Sequence, residues 1–231
     1  MSHQINITRI KAVARALNNL QKDVVFVGGA TVSLYADAAA AESRPTDDVD
    51  VVIELASYAG YAALDEQLRN AGFVNDTASG VICRYQTQGI IVDILPTIAE
   101  VIGFSNKWYP EGFKQAIPVL LGDMTVKIFS LPFFIASKLE AYKNRGGNDY
   151  RFSSDFEDIV YVLENNSEAE QLLLNSQEPL RSYLIEEFCT LLKDPALEEG
   201  LYAHLEPRNA PQQIEKIESI LRNVSGYGSS E

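Results

Sequence analysis

Cysteine, histidine and tryptophan are scarce in this sequence, which has 231 residues with two Cys, two His and one Trp. Cys83 and Cys189 lie far apart, and neither belongs to a Cys-x-x-Cys pair or has a histidine at zinc-ligand spacing. The sequence therefore indicates neither a disulfide framework nor a zinc site. We expect both cysteines to act as small apolar residues of the interior.

Long apolar runs are also lacking. The longest stretch without a charged residue, Val24 to Ala36, has 13 residues and contains a Gly-Gly pair. A bilayer-spanning helix needs about 20 apolar residues, so we expect no transmembrane helix and no membrane partner. The first residues do not form the basic segment and apolar core of a signal peptide, so we expect a cytoplasmic location.

Basic residues are few relative to acidic ones: 19 Lys and Arg against 32 Asp and Glu give a net charge of -13. The imbalance is uneven, because residues 105–151 carry 7 basic and 4 acidic residues, whereas residues 152–231 carry 5 and 16. Such acidity opposes nonspecific binding of polyanions and a large RNA footprint. A phosphate-bearing ligand would be best accommodated by the middle segment.

Apolar periodicity and turn residues predict an α+β fold. Helices are predicted near residues 10–20 and over residues 31–41, 58–70, 133–145 and 154–164, with helical structure continuing to about residue 224. Strands are predicted over residues 23–27, 49–55, 81–86, 90–95, 116–120 and 124–129. We therefore expect a mixed sheet flanked by helices over residues 1–129, a C-terminal helical domain over 130–224, and a disordered tail over 225–231.

Three aspartates on predicted strands form the most informative pattern. Side chains alternate across a strand, so Asp48 and Asp50 share one face while Asp47 faces away. If the strand containing Asp93 lies beside them, three carboxylates meet. Such a cluster of like charges requires cations, and oxygen ligands select hard ions such as Mg²⁺ or Mn²⁺. We expect two ions held by Asp48, Asp50 and Asp93, the candidate catalytic residues.

The Gly28-Gly29 pair after the first strand supplies a complementary feature. Without Cβ atoms, the two glycines let backbone N–H groups approach a triphosphate, and a helix starting there would direct its positive end at the phosphates. Thr31 offers a hydroxyl contact. Together with the metal ligands, this pattern is typical of phosphoryl-type chemistry performed by positioning and electrostatics.

These residues resemble the polymerase-β-type nucleotidyltransferase superfamily: a Gly-Gly turn, an Asp-x-Asp strand preceded by Arg44 and Thr46, and a later apolar-Asp-apolar strand. The helical half narrows the resemblance to the AbiEii toxin-like family, in which a Lys-Leu-x-Ala helix with a later Arg precedes an Asp-x-x-Asp helix start. Here these motifs are Lys138 to Arg145 and Asp155 to Asp158.

The resemblance implies transfer of a nucleoside monophosphate from an NTP (ATP, GTP or CTP) to an acceptor hydroxyl, such as a tRNA 3′ end or a protein. It further implies a toxin-like component of a toxin-antitoxin or phage-defence system, with a cognate antitoxin as partner. The helical domain would complete the nucleotide and acceptor cleft. Lys138 would contact the triphosphate, and Asp155 and Asp158 would orient that lysine or assist acceptor activation. With these roles, the nucleotide-binding residues are Gly28, Gly29, Thr31, Arg44 and Lys138.

Two alternatives remain at the level of sequence. Ser154 stands where the family commonly has a basic residue, which favours a non-catalytic nucleotide-binding module. The acidic C-terminal third suits an aminoglycoside-type adenylyltransferase acting on a small molecule. For the enzyme, we expect Asp48→Asn or Asp93→Asn to abolish transfer and, by relieving repulsion, to raise stability in the absence of metal.

Overall fold

The computed structural model describes residues 2–37, 40, 42–55, 57–97, 99, 103, 105–145 and 149–228, apart from the Tyr58 side chain. The chain divides into two compact units. Unit 1 comprises residues 1–34 and 42–130, and unit 2 comprises residues 35–41 and 131–231. None of the helices in the described part of the chain has the length and apolar character needed to cross a membrane.

Unit 1 is built on a mixed sheet. Its elements are α1 (Ser2–Leu17), β1 (Val24–Val27), β2 (Asp48–Ile53), α2 (Tyr58–Asn70), β3 (Val74–Asn75), β4 (Arg84–Thr87), β5 (Ile90–Pro96), α3 (Tyr109–Lys114), β6 (Ile117–Leu121) and β7 (Met124–Ile128). Within the described residues the seven strands form one sheet in the order β3-β4-β5-β2-β1-β7-β6. The β1–β7 and β2–β5 pairs are parallel and the others antiparallel, which confirms the predicted mixed sheet.

The central strands are apolar because both faces of the sheet are covered at its centre. All four residues of β1 are buried, and Val49, Val51 and Val52 of β2 are fully buried. Ile10, Val13 and Leu17 recur at helical spacing along α1 and are buried as well. β2 and β5 therefore sit in the interior of the sheet, where their backbones are fixed on both sides.

The regular secondary structure of unit 2 is helical over its described residues. It contains α4 (Leu131–Asn144), α5 (Ser154–Asn165), α6 (Ala169–Leu174), α7 (Leu180–Lys193), α8 (Leu197–Ala203) and α9 (Ala210–Ser225). Apolar side chains of α4, α5, α7 and α9 form the core, among them Phe134, Phe156, Phe188 and Leu221. Tyr35 belongs to this unit and packs its ring against Phe134, with centroids 4.5 Å apart.

Several predicted elements differ from the structure. The helix expected over residues 31–41 is replaced by a 3₁₀ helix, Gly29–Leu34, and the backbone N–H of Asp37 donates to the Asn165 carbonyl at 2.8 Å instead of continuing a helix. Ala38, Ala39 and Ala41 lie outside the described residues, as do Gly146 and Gly147, the glycine pair at which the helix predicted over residues 133–145 was expected to end. β3 and α3 were not predicted.

The C-terminal end also differs from the expected tail. Ser225 is the last residue of α9, and Gly226 follows in the left-handed conformation with φ of 69°. Its N–H donates to the Arg222 carbonyl at 2.8 Å, a common way for a helix to end. Residues 229–231 lie outside the described residues.

Candidate active site

The pairing of β2 with β5 brings the three predicted aspartates together. Asp50 lies directly opposite Asp93 in the parallel register, and Asp48 lies two residues before Asp50 on the same face of β2. One oxygen from each of the three carboxylates lies within 4.8 Å of the others. The Asp93 side chain is 12% exposed and that of Asp48 is 37% exposed, so the cluster extends from the interior toward solvent.

The neighbours of these aspartates have the orientations that strand alternation requires. Val49 and Val51 point into the core and are fully buried. Asp47 precedes the first residue of β2 and is exposed, so it lies outside the carboxylate cluster. The apolar alternation of β2 thus turns two carboxylates toward one site while it anchors the strand.

The donor set of the cluster fits a hard divalent cation. All three ligands are carboxylate oxygens, which Mg²⁺ and Mn²⁺ prefer over softer donors. Three like charges held this close require a positive charge among them, since their repulsion is otherwise uncompensated in a partly desolvated site. Asp48, Asp50 and Asp93 are therefore the residues that would hold a metal.

The glycine turn after β1 lies against this cluster. Gly28 has φ of +72°, and a Cβ atom on it would overlap the carboxylate of Asp50. A Cβ on Gly29 would lie 2.5 Å from Arg44 Nη2 and 2.6 Å from Thr46 Cγ2. Only glycine leaves room for these side chains, so the turn brings bare backbone next to both a carboxylate of the cluster and a guanidinium.

Thr31 and the segment after the turn differ from expectation. The Thr31 hydroxyl donates to the Gly28 carbonyl at 2.9 Å, and Thr31 is fully buried, so its one hydroxyl proton is used to stabilise the turn. The helix that follows is a six-residue 3₁₀ helix, so the expected contribution of an α-helix N-terminus is absent from this part of the structure. The predicted contact of Thr31 with a triphosphate stays a prediction.

Hydrogen bonds to backbone carbonyls fix the segment that carries Arg44. Its carbonyl accepts a hydrogen bond from Asn6 Nδ2 at 3.4 Å, and Thr46 Oγ1, two residues later, donates to the Asp48 carbonyl at 3.1 Å. The Arg44 guanidinium lies beside Gly29, where a Cβ atom would be 2.5 Å from Nη2. The position suits the predicted nucleotide-binding role, which stays a prediction.

Arg84 is a residue of this site that the sequence reasoning missed. It lies opposite Asp93 in the antiparallel β4–β5 pair. Its guanidinium forms a two-pronged contact, with Nε donating to Asp93 Oδ1 and Nη2 donating to Oδ2, both at 2.8 Å. Nη2 also lies 3.6 Å from Asp48 Oδ2. Hydrogen bonding to Asp93 raises the pKa of Arg84 above its ordinary value, so the side chain stays cationic.

Cys83, next to Arg84, is not among the residues whose ligand atoms meet in the carboxylate cluster. The residue is buried, and burial together with the nearby Asp93 charge raises the pKa of its thiol to about 12. Both cysteines are free, and Cys189 is only partly buried, which corrects the expectation that both lie in the interior.

Unit 2 carries a separate buried charge cluster on α4 and α5. Lys138 Nζ lies 3.0 Å from Asp155 Oδ1 and 2.6 Å from Asp158 Oδ2, and Arg145 Nη1 lies 2.9 Å from Asp155 Oδ2. Lys138, Asp155 and Asp158 are all buried. Ser153 caps α5 by accepting from the Phe156 N–H, which places the two aspartates one turn apart on the same helix face.

Asp155 and Asp158 both contact the Lys138 ammonium, as they would have to if they orient this lysine. Burial by itself would lower the pKa of Lys138, but the carboxylates of Asp158 and Asp155 outweigh it and hold the pKa above its ordinary value. The ammonium is therefore charged and shared between two acids. Its predicted contact with a triphosphate stays a prediction, as do the roles of Asp155 and Asp158 in acceptor activation.

The contact between Arg84 and Asp93 changes the stability that we expect for variants lacking one carboxylate of the cluster. In EDTA at neutral pH, we expect Asp93→Asn to lower the free energy of unfolding by about 1–3 kcal/mol, because it removes the acceptor of a two-pronged charged contact. Asp48→Asn removes one like charge and only the 3.6 Å contact, so its effect should stay within about 1 kcal/mol. Urea unfolding followed by circular dichroism measures both. An Asp93→Asn protein as stable as wild type would show that the Arg84 pair adds nothing.

The buried cluster of unit 2 predicts a larger effect. Lys138→Met leaves two buried carboxylates without their shared cation and should cost about 3–5 kcal/mol at neutral pH. The matched control is Lys143→Met on the same helix. The Lys143 side chain is 45% exposed and its partner Glu187 12% exposed, so water reaches this pair and its loss should cost at most about 1 kcal/mol. Because the folded-state pKa of Lys138 is raised, its contribution should be constant from neutral pH to about 10 and decline only as pH rises through that raised value. Equal urea midpoints for the two variants would contradict this.

Two comparisons with known proteins found a match for this chain. Residues 11–226 match the family model described as nucleotidyl transferase AbiEii toxin, type IV TA system. The crystal structure of an antigenic nucleotidyltransferase-like protein from Paracoccidioides brasiliensis is similar in fold, with a TM-score of 0.52 and 19% identity over 89% of this chain and 96% of that one. No curated protein sequence matches the chain.

The family match confirms the resemblance drawn from the sequence motifs. It spans nearly the whole chain, including the glycine turn, the three strand aspartates and the Lys138 cluster. We conclude that this protein belongs to the AbiEii family of nucleotidyltransferase toxins of type IV toxin-antitoxin systems.

Proposed function

We propose that the protein is a two-metal nucleotidyltransferase that moves a nucleoside monophosphate from an NTP to an acceptor hydroxyl. The observation that carries the proposal is the convergence of Asp48, Asp50 and Asp93 within 4.8 Å beside the Gly28-Gly29 turn. In the reaction, the acceptor oxygen forms a bond to the α-phosphorus and releases its proton to water. The bond from that phosphorus to the bridging oxygen of the β-phosphate breaks, and pyrophosphate leaves.

The three strand carboxylates would serve as the protein ligands of the two ions. Asp48 and Asp50 would bind both ions, and Asp93 would complete the ligand set of the one nearer the acceptor. When bound, Mg²⁺ or Mn²⁺ supplies the positive charge that activates the acceptor oxygen and stabilises the leaving pyrophosphate. The apolar residues between the aspartates keep this geometry fixed, because β2 is anchored in the core.

The glycine turn would bind the triphosphate beside the carboxylates. Side chains are absent at Gly28 and Gly29, so phosphate oxygens can reach backbone N–H groups there, as in other phosphate-binding loops. The Arg44 guanidinium, which lies close to Gly29, adds a positive charge suited to phosphate oxygens. For Lys138, the family motif supports a triphosphate role, with Asp155 and Asp158 setting its orientation.

Family membership supports a cognate antitoxin partner and action in the cytoplasm, where NTPs are available. Three acceptor classes follow from the sequence, namely a tRNA 3′ end, a protein side chain and a small cationic molecule such as an aminoglycoside. The net charge of -13 opposes a large RNA footprint, so contact with RNA should be limited to its end. A non-catalytic nucleotide-binding module is disfavoured because all three metal-site carboxylates are present and assembled.

The test is transfer of label from each [α-³²P]NTP in the presence of Mg²⁺, offered separately with total tRNA, candidate partner proteins and aminoglycosides. We expect wild type to label one acceptor class and Asp50→Ala to reduce the rate by at least about 100-fold, because a metal ligand is lost. Asp47→Ala is the matched control: it removes the adjacent exposed acid, which lies outside the cluster, and should leave the rate unchanged.

Two results would contradict the enzyme. One is equal label transfer by wild type and Asp50→Ala, which would separate the activity from the carboxylate cluster. The other is metal-dependent NTP binding without transfer to any acceptor, which would favour the nucleotide-binding module.

A further inference from the structure

Arg84 occupies the position in unit 1 where a metal ion would be expected to bind Asp93. Both carboxylate oxygens of Asp93 accept hydrogen bonds from this one guanidinium, at 2.8 Å each. The same Nη2 atom reaches toward Asp48 Oδ2 at 3.6 Å. A single cation therefore contacts two of the three proposed metal ligands.

This contact answers an electrostatic requirement of the fold. The β2–β5 register forces three carboxylates together whether or not metal is present. Without a cation, their repulsion would oppose the pairing of two central strands. Arg84 supplies one positive charge at Asp93, which is more buried than Asp48, and so offsets part of that repulsion.

We propose that Arg84 is a positioning residue that acts as an internal substitute cation: it holds Asp93 in the metal-free protein and competes with the divalent ion for it. The inference rests on the proposed metal site. Metal binding then becomes an exchange, in which at least part of the Arg84 contact is given up as the ion arrives. The pair should lower metal affinity while it preserves the site between turnovers.

The structure allows the side chain to move while its backbone stays fixed. The Arg84 carbonyl accepts from the Asp76 N–H at 2.9 Å, and the Arg84 N–H donates to the Val81 carbonyl at 3.2 Å. β4 lies between β3 and β5 in the sheet. The strand pairing therefore fixes the Cα position of Arg84 opposite Asp93. The Arg84 side chain, by contrast, is 25% exposed, which gives the guanidinium a path toward solvent.

The reciprocal nature of binding makes the competition measurable. If the ion weakens the Arg84–Asp93 contact, then that contact must weaken ion binding by the same factor. A residue that only buttressed Asp93 for the metal would have the opposite effect, since its removal would lower affinity. The direction of the change in metal affinity therefore distinguishes competition from support.

The experiment is a titration of Mn²⁺ into the full chain without nucleotide, with free Mn²⁺ followed by electron paramagnetic resonance. We expect Arg84→Gln to bind Mn²⁺ about tenfold more tightly than wild type, because a neighbouring positive charge and a competing donor are both removed. Arg84→Lys, which keeps the charge but not the two-pronged geometry, should fall between them. Arg15→Gln removes the same charge from an exposed site near Asp123 and should match wild type within about twofold.

Equal or weaker Mn²⁺ binding by Arg84→Gln would overturn the inference. If that variant fails to fold by circular dichroism, Arg84→Lys decides the matter, and affinity no tighter than wild type would overturn it. Failure of the proposed function is distinguishable: in that case wild type itself would show no saturable Mn²⁺ site that Asp50→Ala abolishes. Wild-type binding with no effect of Arg84 would reject this inference alone.

Discussion

The pairing of β2 with β5 is the constraint on which the site depends. It sets Asp50 opposite Asp93 in two interior strands and so concentrates three carboxylates within 4.8 Å. The apolar residues between them anchor the strands, so the charges cannot separate without loss of core packing. Positive charge must therefore come to the cluster. The Arg84 guanidinium supplies part of it, and the donor set is suited to a divalent ion for the rest.

Much of the fold follows from local patterns in the sequence. The Val-rich alternation predicts β2, and the helix predicted over residues 58–70 has the observed bounds of α2. The prediction of a helix after the glycine turn was wrong. It rested on the Ala-rich composition of residues 31–41, which indicates only the local preference of the chain for a helix. Tyr35 packs instead on Phe134, and the Asp37 N–H donates to Asn165, contacts more than 90 residues distant in the chain. No local pattern contains that information.

The sequence predicted that the three aspartates would meet, but it did not predict the register of the β4–β5 hairpin. Asp48, Asp50 and Asp93 follow from strand alternation, and the Lys138 cluster follows from the family motif. A three-residue turn over 87–89, as the sequence suggested, would place Cys83 opposite Asp93. The observed two-residue turn, with Gln88 and Gly89 both at positive φ, pairs Thr87 with Ile90 and places Arg84 there. A shift of one residue reverses which side chains of β4 face the site. The sequence alone therefore did not identify Arg84 as a residue of the site.

The most direct measurement is anomalous diffraction at the manganese edge from crystals grown with Mn²⁺ and a non-hydrolysable NTP analogue. The account predicts an anomalous peak within about 2.5 Å of carboxylate oxygens from Asp48, Asp50 and Asp93, with the triphosphate beside the Gly28-Gly29 turn. It also predicts a second peak sharing Asp48 and Asp50. Manganese bound elsewhere, with the three carboxylates contacting only water and an undisturbed Arg84, would contradict the claim that this cluster is the metal site of the enzyme.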